Sequence, residues 1–301
     1  MVYAGQMDSY ENCNEVIKEF TSVEVSSAQV YRVSDFYGRK LAGSLHANRI
    51  LEPLNREEVL YAQADGSMIL TREDGWNEVK LGRIFKSNDC LHAEGKQGWV
   101  SHSQYLAHLG GHKEFCSQMD SLLDDFGPLH QRLIFITDGA VWLKNWIEDS
   151  FPNAVSILDF YHAAEHLHNF SSEFFKDAPA EHKWVQAQKE LLLDSKASEV
   201  IINISQLAGN KNKEAAKLIA YYENNLQRMD YKKYQQMGCG LIGSGAIESA
   251  HRTVIQKRMK QSGQRWSKIG ATHMLNLRVT RKNHQWEKVI SLTKQNLLAA
   301  A

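Results

Sequence analysis

The chain has 301 residues, 43% of them apolar and 23% charged, with 35 Lys and Arg balanced by 35 Asp and Glu. That length can bury a substantial core as one large domain or two small ones, and with only four prolines the composition excludes a long disordered or collagen-like tract. Cys13, Cys90, Cys116 and Cys239 are scattered without a CxxC pair, and neither a run of about 18 apolar residues nor a secretion signal occurs, so a soluble protein of the reducing cytoplasm with no membrane partner is expected.

From Asp8 to about Leu45 the apolar spacing is helical, with Val16, Ile17 and Phe20 on one face, a turn "TSVEVSS", then Val30, Val33, Phe36 and Tyr37. Ser26 or Ser27 is the expected N-cap of the second helix, and the pair is either a helix-turn-helix or two helices packed at the edge of a larger domain. A strand-rich block follows: "VLYAQADGSMIL", interrupted at Asp65-Gly66, then "NEVKLGRIFKS" and "GWVSHSQYLAHLG". Three short strands in succession predict an antiparallel meander. The helix "HKEFCSQMDSLLDDFG" should stop at Gly127-Pro128.

Next, "QRLIFITDGAVWLKNWIEDSFP" reads as a buried strand from Leu133 to Thr137 that ends at Asp138-Gly139 and turns into a helix. "AVSILDFYHAAEHLHNF" repeats that logic, its strand ending at Asp159. Apolar strands alternating with helices predict parallel pairing. The expected fold is therefore α/β, an RNase H-like mixed five-stranded sheet of three antiparallel and then two parallel strands with flanking helices. Residues 171–237 are polar and helix-forming, an all-helical insertion before the last catalytic helix. The resulting division is 1–55 N-terminal helices, 56–170 first part of the core, 171–237 insertion, and 238–301 last helices with a basic face.

Asp65 and Asp138 sit beside glycines where predicted strands break or end, and in open sheets functional groups converge at the carboxyl ends of strands. An Asp-Gly pair alone is more often a plain turn. Glu248 is the third acid: in "GSGAIESA" Gly243 and Gly245 allow a sharp turn, Ser244 can cap, and Glu248 follows in the first helical turn. Alone it could be a dipole-stabilised acid. Jointly, three carboxylates on separate elements suit a hard cation, and two Mg²⁺ or Mn²⁺ ions about 4 Å apart suit phosphodiester displacement. Asp159 also ends an apolar strand, so either it or Asp138 can be the second ligand. Asp138 is favoured, with Asp159 and His162 as a hydrogen-bonded supporting pair. His162 and His166 share a helical face, but no third zinc ligand is evident from the spacing.

From Glu248 to Lys288 ten Lys or Arg face two acids, a surplus of eight positive charges in a neutral protein. That is the footprint of a polyanion such as DNA, with Arg252, Lys257, Arg258, Lys260 and Arg265 as the expected phosphate contacts. Trp266 and Trp286 interleave with them, to stack on bases or to pack the core.

The segments "DGSMILTREDGWNEVKLGRIF", "ITDGAVWLKNWIEDSFPNAVSILDFYHAAEHL" and "GSGAIESAHRTVIQKRMKQSGQRWSKIGATHMLNLR" together resemble the ISKra group of bacterial insertion-sequence transposases and, more distantly, Mutator-type transposases. The resemblance runs from roughly Val59 to Val289. It implies an RNase H-like DDE core whose acids fall on Asp65, Asp138 and Glu248, with Asp159-Phe160-Tyr161-His162 matching the family's Asp-x-x-His signature. It further implies metal-dependent DNA cleavage and strand transfer, transposon ends and target DNA as partners, a homo-oligomer on DNA, and a place at the bacterial nucleoid. Such transposases carry more sequence before the first acid than the about 60 residues preceding Asp65, which implies a truncated copy or fragment. The rival expectation is a transposon-derived DNA-binding protein without catalysis, and a third is a hydrolase with metal at Asp159, His162 and His166.

Overall fold

The computed structural model describes residues 1–42, 54–55, 57–92, 98–128, 132–209 and 212–300. The end of the first helical segment near Leu45, and Arg56 at the expected 55/56 boundary, lie outside the described residues.

The strands are β1 (Leu60–Thr71), β2 (Gly75–Lys86), β3 (Cys90–Leu91), β4 (Trp99–Val100), β5 (Gln104–Leu109), β6 (Leu133–Thr137) and β7 (Val155–Leu158). Five of them form one mixed sheet in the order β5-β2-β1-β6-β7. The β5/β2 and β2/β1 pairs are antiparallel and the β1/β6 and β6/β7 pairs parallel, as the alternation of the sequence predicts. Two details differ from expectation. The strand carrying Asp65 is not interrupted there: β1 pairs with β2 without a break, Asp65 opposite Leu81 and Gly66 opposite Lys80, because ladder bonds outweigh the turn preference of Asp-Gly. The third predicted strand is split, its first part becoming β4 in a small ribbon with β3.

Side-chain alternation along β1 sends Leu60, Ala62 and Ala64 to one face and Tyr61 to the other. The first face packs on the helices His112–Asp124 and Val141–Ser150 through Phe115, Met119, Leu143 and Trp146. The second packs on Phe160–Ser171 and on the helices Ala178–Leu193, Ala197–Ala208 and Lys213–Glu223, through Leu167, Leu192, Ile204 and Tyr222. β6 is buried along its whole length between these layers. A fully buried Ile or Phe contributes roughly 1.5–3 kcal/mol against the exposed chain, far more than a surface ion pair, so these apolar layers hold the strands in place.

The far half of β1 and β2, with Ile69, Val79 and Leu81, is covered by the C-terminal helices through Ile247, Val254 and Met274. The helix Ser27–Leu41 is capped by Ser26, whose hydroxyl accepts from Gln29 N. Its buried stripe is Val30, Ser34, Gly38 and Leu41. Small residues there let it press on the helix Lys268–Lys282, where Asn276 donates to Gly38 O at 3.0 Å and Asp35 contacts His273 at 2.7 Å. The N-terminal helices are thus packed against the core's last helices. On the preceding helix, Tyr10–Thr21, the buried residue is Cys13, while Val16 and Phe20 are exposed. Among the described residues no helix is long and apolar enough to cross a membrane.

Candidate active site

Strand register places the acids. The parallel β1/β6 ladder ends with Gln63 opposite Ile136, and Asp65 and Asp138 follow just beyond it, close enough for the Asp138 charge to act on Asp65. The β6/β7 ladder ends with Thr137 opposite Leu158, Asp138 and Asp159 are the next residues, and Asp159 N donates to Thr137 O at 2.9 Å. Asp138 and Asp159 are thus the first residues beyond two adjacent parallel strands, at the same end of the sheet, where Asp65 lies on the neighbouring β1. Asp65, Asp138, Asp159 and Glu248 all line one pocket of about 220 Å³, together with Thr137, Tyr161, His162, Glu165 and Ser244.

Each acid has its own local anchoring. Asp65 accepts from Gly66 N at 2.6 Å and Asp138 from Ala140 N at 3.0 Å. Asp159 is buried and caps the helix Phe160–Ser171, one oxygen accepting from Tyr161 N at 2.9 Å and the other from the Ser244 hydroxyl. The expected Asp159–His162 bond is not formed. Folding back to cap its own helix turns Asp159 away from His162, whose Nδ1 lies 3.8 Å from Glu165 and whose ring packs 4.7 Å from that of His166. Ser244 does not cap the Glu248 helix either: its hydroxyl bridges Asp159 and, at 3.2 Å, Glu248 Oε1.

Glu248 rides on Gly245–Ala250, which continues through a π-helical stretch, His251–Gln256, into Lys257–Met259. This helix is fastened to the sheet by its backbone. The fully buried Gln63 donates to Gly243 O at 3.2 Å and accepts from Ile247 N at 2.8 Å, and Arg83 donates to Ala246 O at 2.5 Å. A Cβ on Gly243 would come within 2.4 Å of the Tyr161 ring, so the close approach of this turn to the Asp159 helix needs glycine. Gln63, Arg83 and His251 were not singled out from the sequence. The available signal for Gln63 was a polar side chain in the middle of an apolar strand.

His251 is buried in the π-helical stretch, with Nε2 3.3 Å from Asp65 Oδ2 and no well-formed hydrogen bond at either ring nitrogen. Burial lowers its pKa to about 4, so the ring is neutral at pH 7 and adds no positive charge beside Asp65. Burial also raises the Asp65 carboxyl to about 6, and repulsion from Asp138, Glu248 and Glu78 adds to it. A carboxyl raised above its unfolded value favours folding most when protonated, below about pH 4, and that contribution is lost as pH rises through about 6. Replacing Asp65 by Asn should therefore stabilise the ion-free protein at pH 7.5 by about 1 kcal/mol, a figure discounted because the Asp65 side chain is 42% exposed. Thermal melts from pH 7.5 to 4 check this: the gain must shrink towards zero at acid pH, and a gain independent of pH would contradict the charge repulsion.

Asp65, Asp138, Asp159 and Glu248 offer oxygen donors of the kind a hard divalent cation takes, and the His162 ring lines the same pocket. Among the described residues no three His, Cys, Asp or Glu side chains are already gathered tightly enough to hold an ion. Glu248, exposed at the pocket's edge, leans on Ser244.

The basic residues divide. Arg252, Lys257, Lys260 and Arg265 are exposed, and Lys260 reaches Ser67 at 2.6 Å from Nζ to Oγ. Arg258 is not on this surface: it is 1% exposed, donates to Gly5 O at 2.8 Å, and lies between the rings of Tyr10 and Trp266 at 4.7 and 5.0 Å. The cause is helical phase, since Arg258 falls on the buried side with Val254, Ile255 and Met259. Trp266 is buried and Trp286 packs edge-on to Tyr3, so both tryptophans serve the interior. Arg72, which the sequence did not flag, joins Arg265, Tyr31 and Trp266 around a 510 Å³ pocket.

Residues 3–296 match the family described as "Uncharacterised protein family (UPF0236)", and the chain belongs to it. It is similar to the "UPF0236 protein in vanSb 3'region" of Streptococcus gallolyticus, 24% identical over 245 residues, which cover 78% of this chain and 52% of the relative. The chain thus spans about half the length of the curated relative it matches.

Proposed function

We propose that this UPF0236 chain is a DDE transposase with an RNase H-like core, an enzyme for metal-dependent DNA strand cleavage and strand transfer. The observation that carries the proposal is the convergence of Asp65, Asp138, Asp159 and Glu248 on one pocket from three adjacent strands and a crossing helix. The strand order and the exposed Arg252, Lys257, Lys260 and Arg265 on the neighbouring segment support it. Mg²⁺ or Mn²⁺, as two ions held by Asp65, Asp138 and Glu248, would supply the electrophile that activates water or a 3′-hydroxyl.

The chain's own groups have separate tasks. Asp138 is the second ligand, because the Asp159 oxygens are taken by Tyr161 N and Ser244, which leaves Asp159 to fix the turn before Glu248. His251, neutral at pH 7, adds no positive charge of its own beside Asp65, and the Lys260 ammonium is the cationic group that Asp65 feels there. The cationic residues hold phosphates, with transposon ends and target DNA as substrates, a homo-oligomer as the working form and the bacterial nucleoid as its place.

Incubating the protein with supercoiled plasmid and Mg²⁺ or Mn²⁺ tests this reading. Nicked and joined products that vanish with chelator are expected, whereas salt-sensitive binding with no cleavage under any divalent ion would favour the non-catalytic DNA-binding alternative. Alanine at Arg252 or Lys257 should each lower the slope of log affinity against log salt by about 0.9, measured by fluorescence anisotropy. An unchanged slope in both would remove these residues from the DNA contact.

A further inference from the structure

The two half-buried cysteines lie together although 149 positions separate them: the Sγ atoms of Cys90 and Cys239 are 2.8 Å apart. A disulfide needs about 2.05 Å, so closing the bond requires a shift of less than an ångström. The loop presenting Cys239 is fixed. The Tyr61 hydroxyl accepts from Cys239 N at 3.1 Å and donates to Met237 O at 3.0 Å. Gly238 and Gly240, on either side, have φ of +53° and +71°, a left-handed backbone that favours glycine. Cys90 is held on β3, whose partner across the ribbon is Val100. The other two cysteines, Cys13 and Cys116, are buried elsewhere.

We propose that Cys90 and Cys239 form an oxidative modification site, a dithiol that peroxides convert to a disulfide. The chemistry is balanced. The Cys239 thiolate attacks the peroxide, the O–O bond breaks, the sulfur loses two electrons to become a sulfenic acid, and the alkoxide or hydroxide leaves with a proton as alcohol or water. Cys90 sulfur then attacks Cys239 sulfur, forming the S–S bond and expelling hydroxide, which takes the Cys90 proton as a second water. The contact with Cys90 holds the Cys239 thiol below the usual thiol range, which makes Cys239 the attacking sulfur. The bond would tie the β3 ribbon to the loop that runs into Gly243 and Ser244, the turn that contacts Asp159 and Glu248. Oxidation therefore reports on, and stiffens, the approach to the carboxylate pocket.

The test needs no cleavage activity, so it stands or falls apart from the proposed function. The full chain is treated with hydrogen peroxide, alkylated, unfolded and digested. Titratable thiols should fall from four to two, one peptide should join Cys90 to Cys239, and the melting midpoint should rise by roughly 5 °C, reversibly with dithiothreitol. In Cys90→Ser the sulfenic acid should persist and dimedone should label Cys239. Four free thiols after treatment, or a bond joining any other pair, would overturn the proposal. If Cys90→Ser does not fold, the peptide map of the unaltered protein still decides.

Discussion

Replacing Glu248 by Gln lowers divalent-dependent strand cleavage by roughly 10³-fold while leaving DNA affinity within about twofold, on the proposed function. The amide keeps the shape of the side chain and loses its charge. The fold has no need of that charge, because the helix bearing Glu248 is fastened through backbone groups by Gln63 and Arg83. Circular dichroism and melting should be unchanged within error, which separates a lost ligand from a damaged fold. Cleavage by the variant at the rate of the unaltered protein would show that Glu248 takes no part in the chemistry.

Arg258→Ala is the complementary case, a basic residue whose removal damages the interior. It deletes one of the largest fully buried side chains, both ring contacts and the donor to Gly5 O. The cavity, the two lost cation–π contacts and the stranded carbonyl together should cost about 2–4 kcal/mol in urea-induced unfolding. The salt dependence of DNA binding at low temperature should match that of the unaltered chain. A stability loss below about 1 kcal/mol with a weakened salt slope would restore Arg258 to the surface role its charge suggests.

That contrast shows how much was legible in the residues. Continuous apolar runs such as Leu133 to Thr137 announced buried parallel strands, and the meander before them announced antiparallel ones; the sheet has that order. Asp138 and Asp159 directly follow such runs, Asp65 lies within a strand-forming stretch and Glu248 follows a glycine turn, and the four line one pocket. Asp65-Gly66 suggests a break because local turn preference is visible in sequence, whereas the pairing of β2 along its whole length, which keeps the strand continuous, is not. Arg258 and Arg278 were counted with the surface charges, since composition cannot distinguish a guanidinium in water from one closed over by Gln6, Thr253 and Val254 carbonyls. Gln63 was out of reach for a further reason: its partners lie 180 and 184 positions away.

Gln63 also bears on what the pocket can adjust. Its carboxamide joins the strand of the first acid to the turn that launches the third, across the entire helical segment between them. The separation of those two backbones is therefore preset, and any gathering of the carboxylates falls to side-chain rotors such as Glu248. Freezing a rotor of that kind costs about 0.5–1.5 kcal/mol. On the proposed function, ion capture at this pocket is thus a matter of torsions at the rim over a scaffold that has already committed its shape.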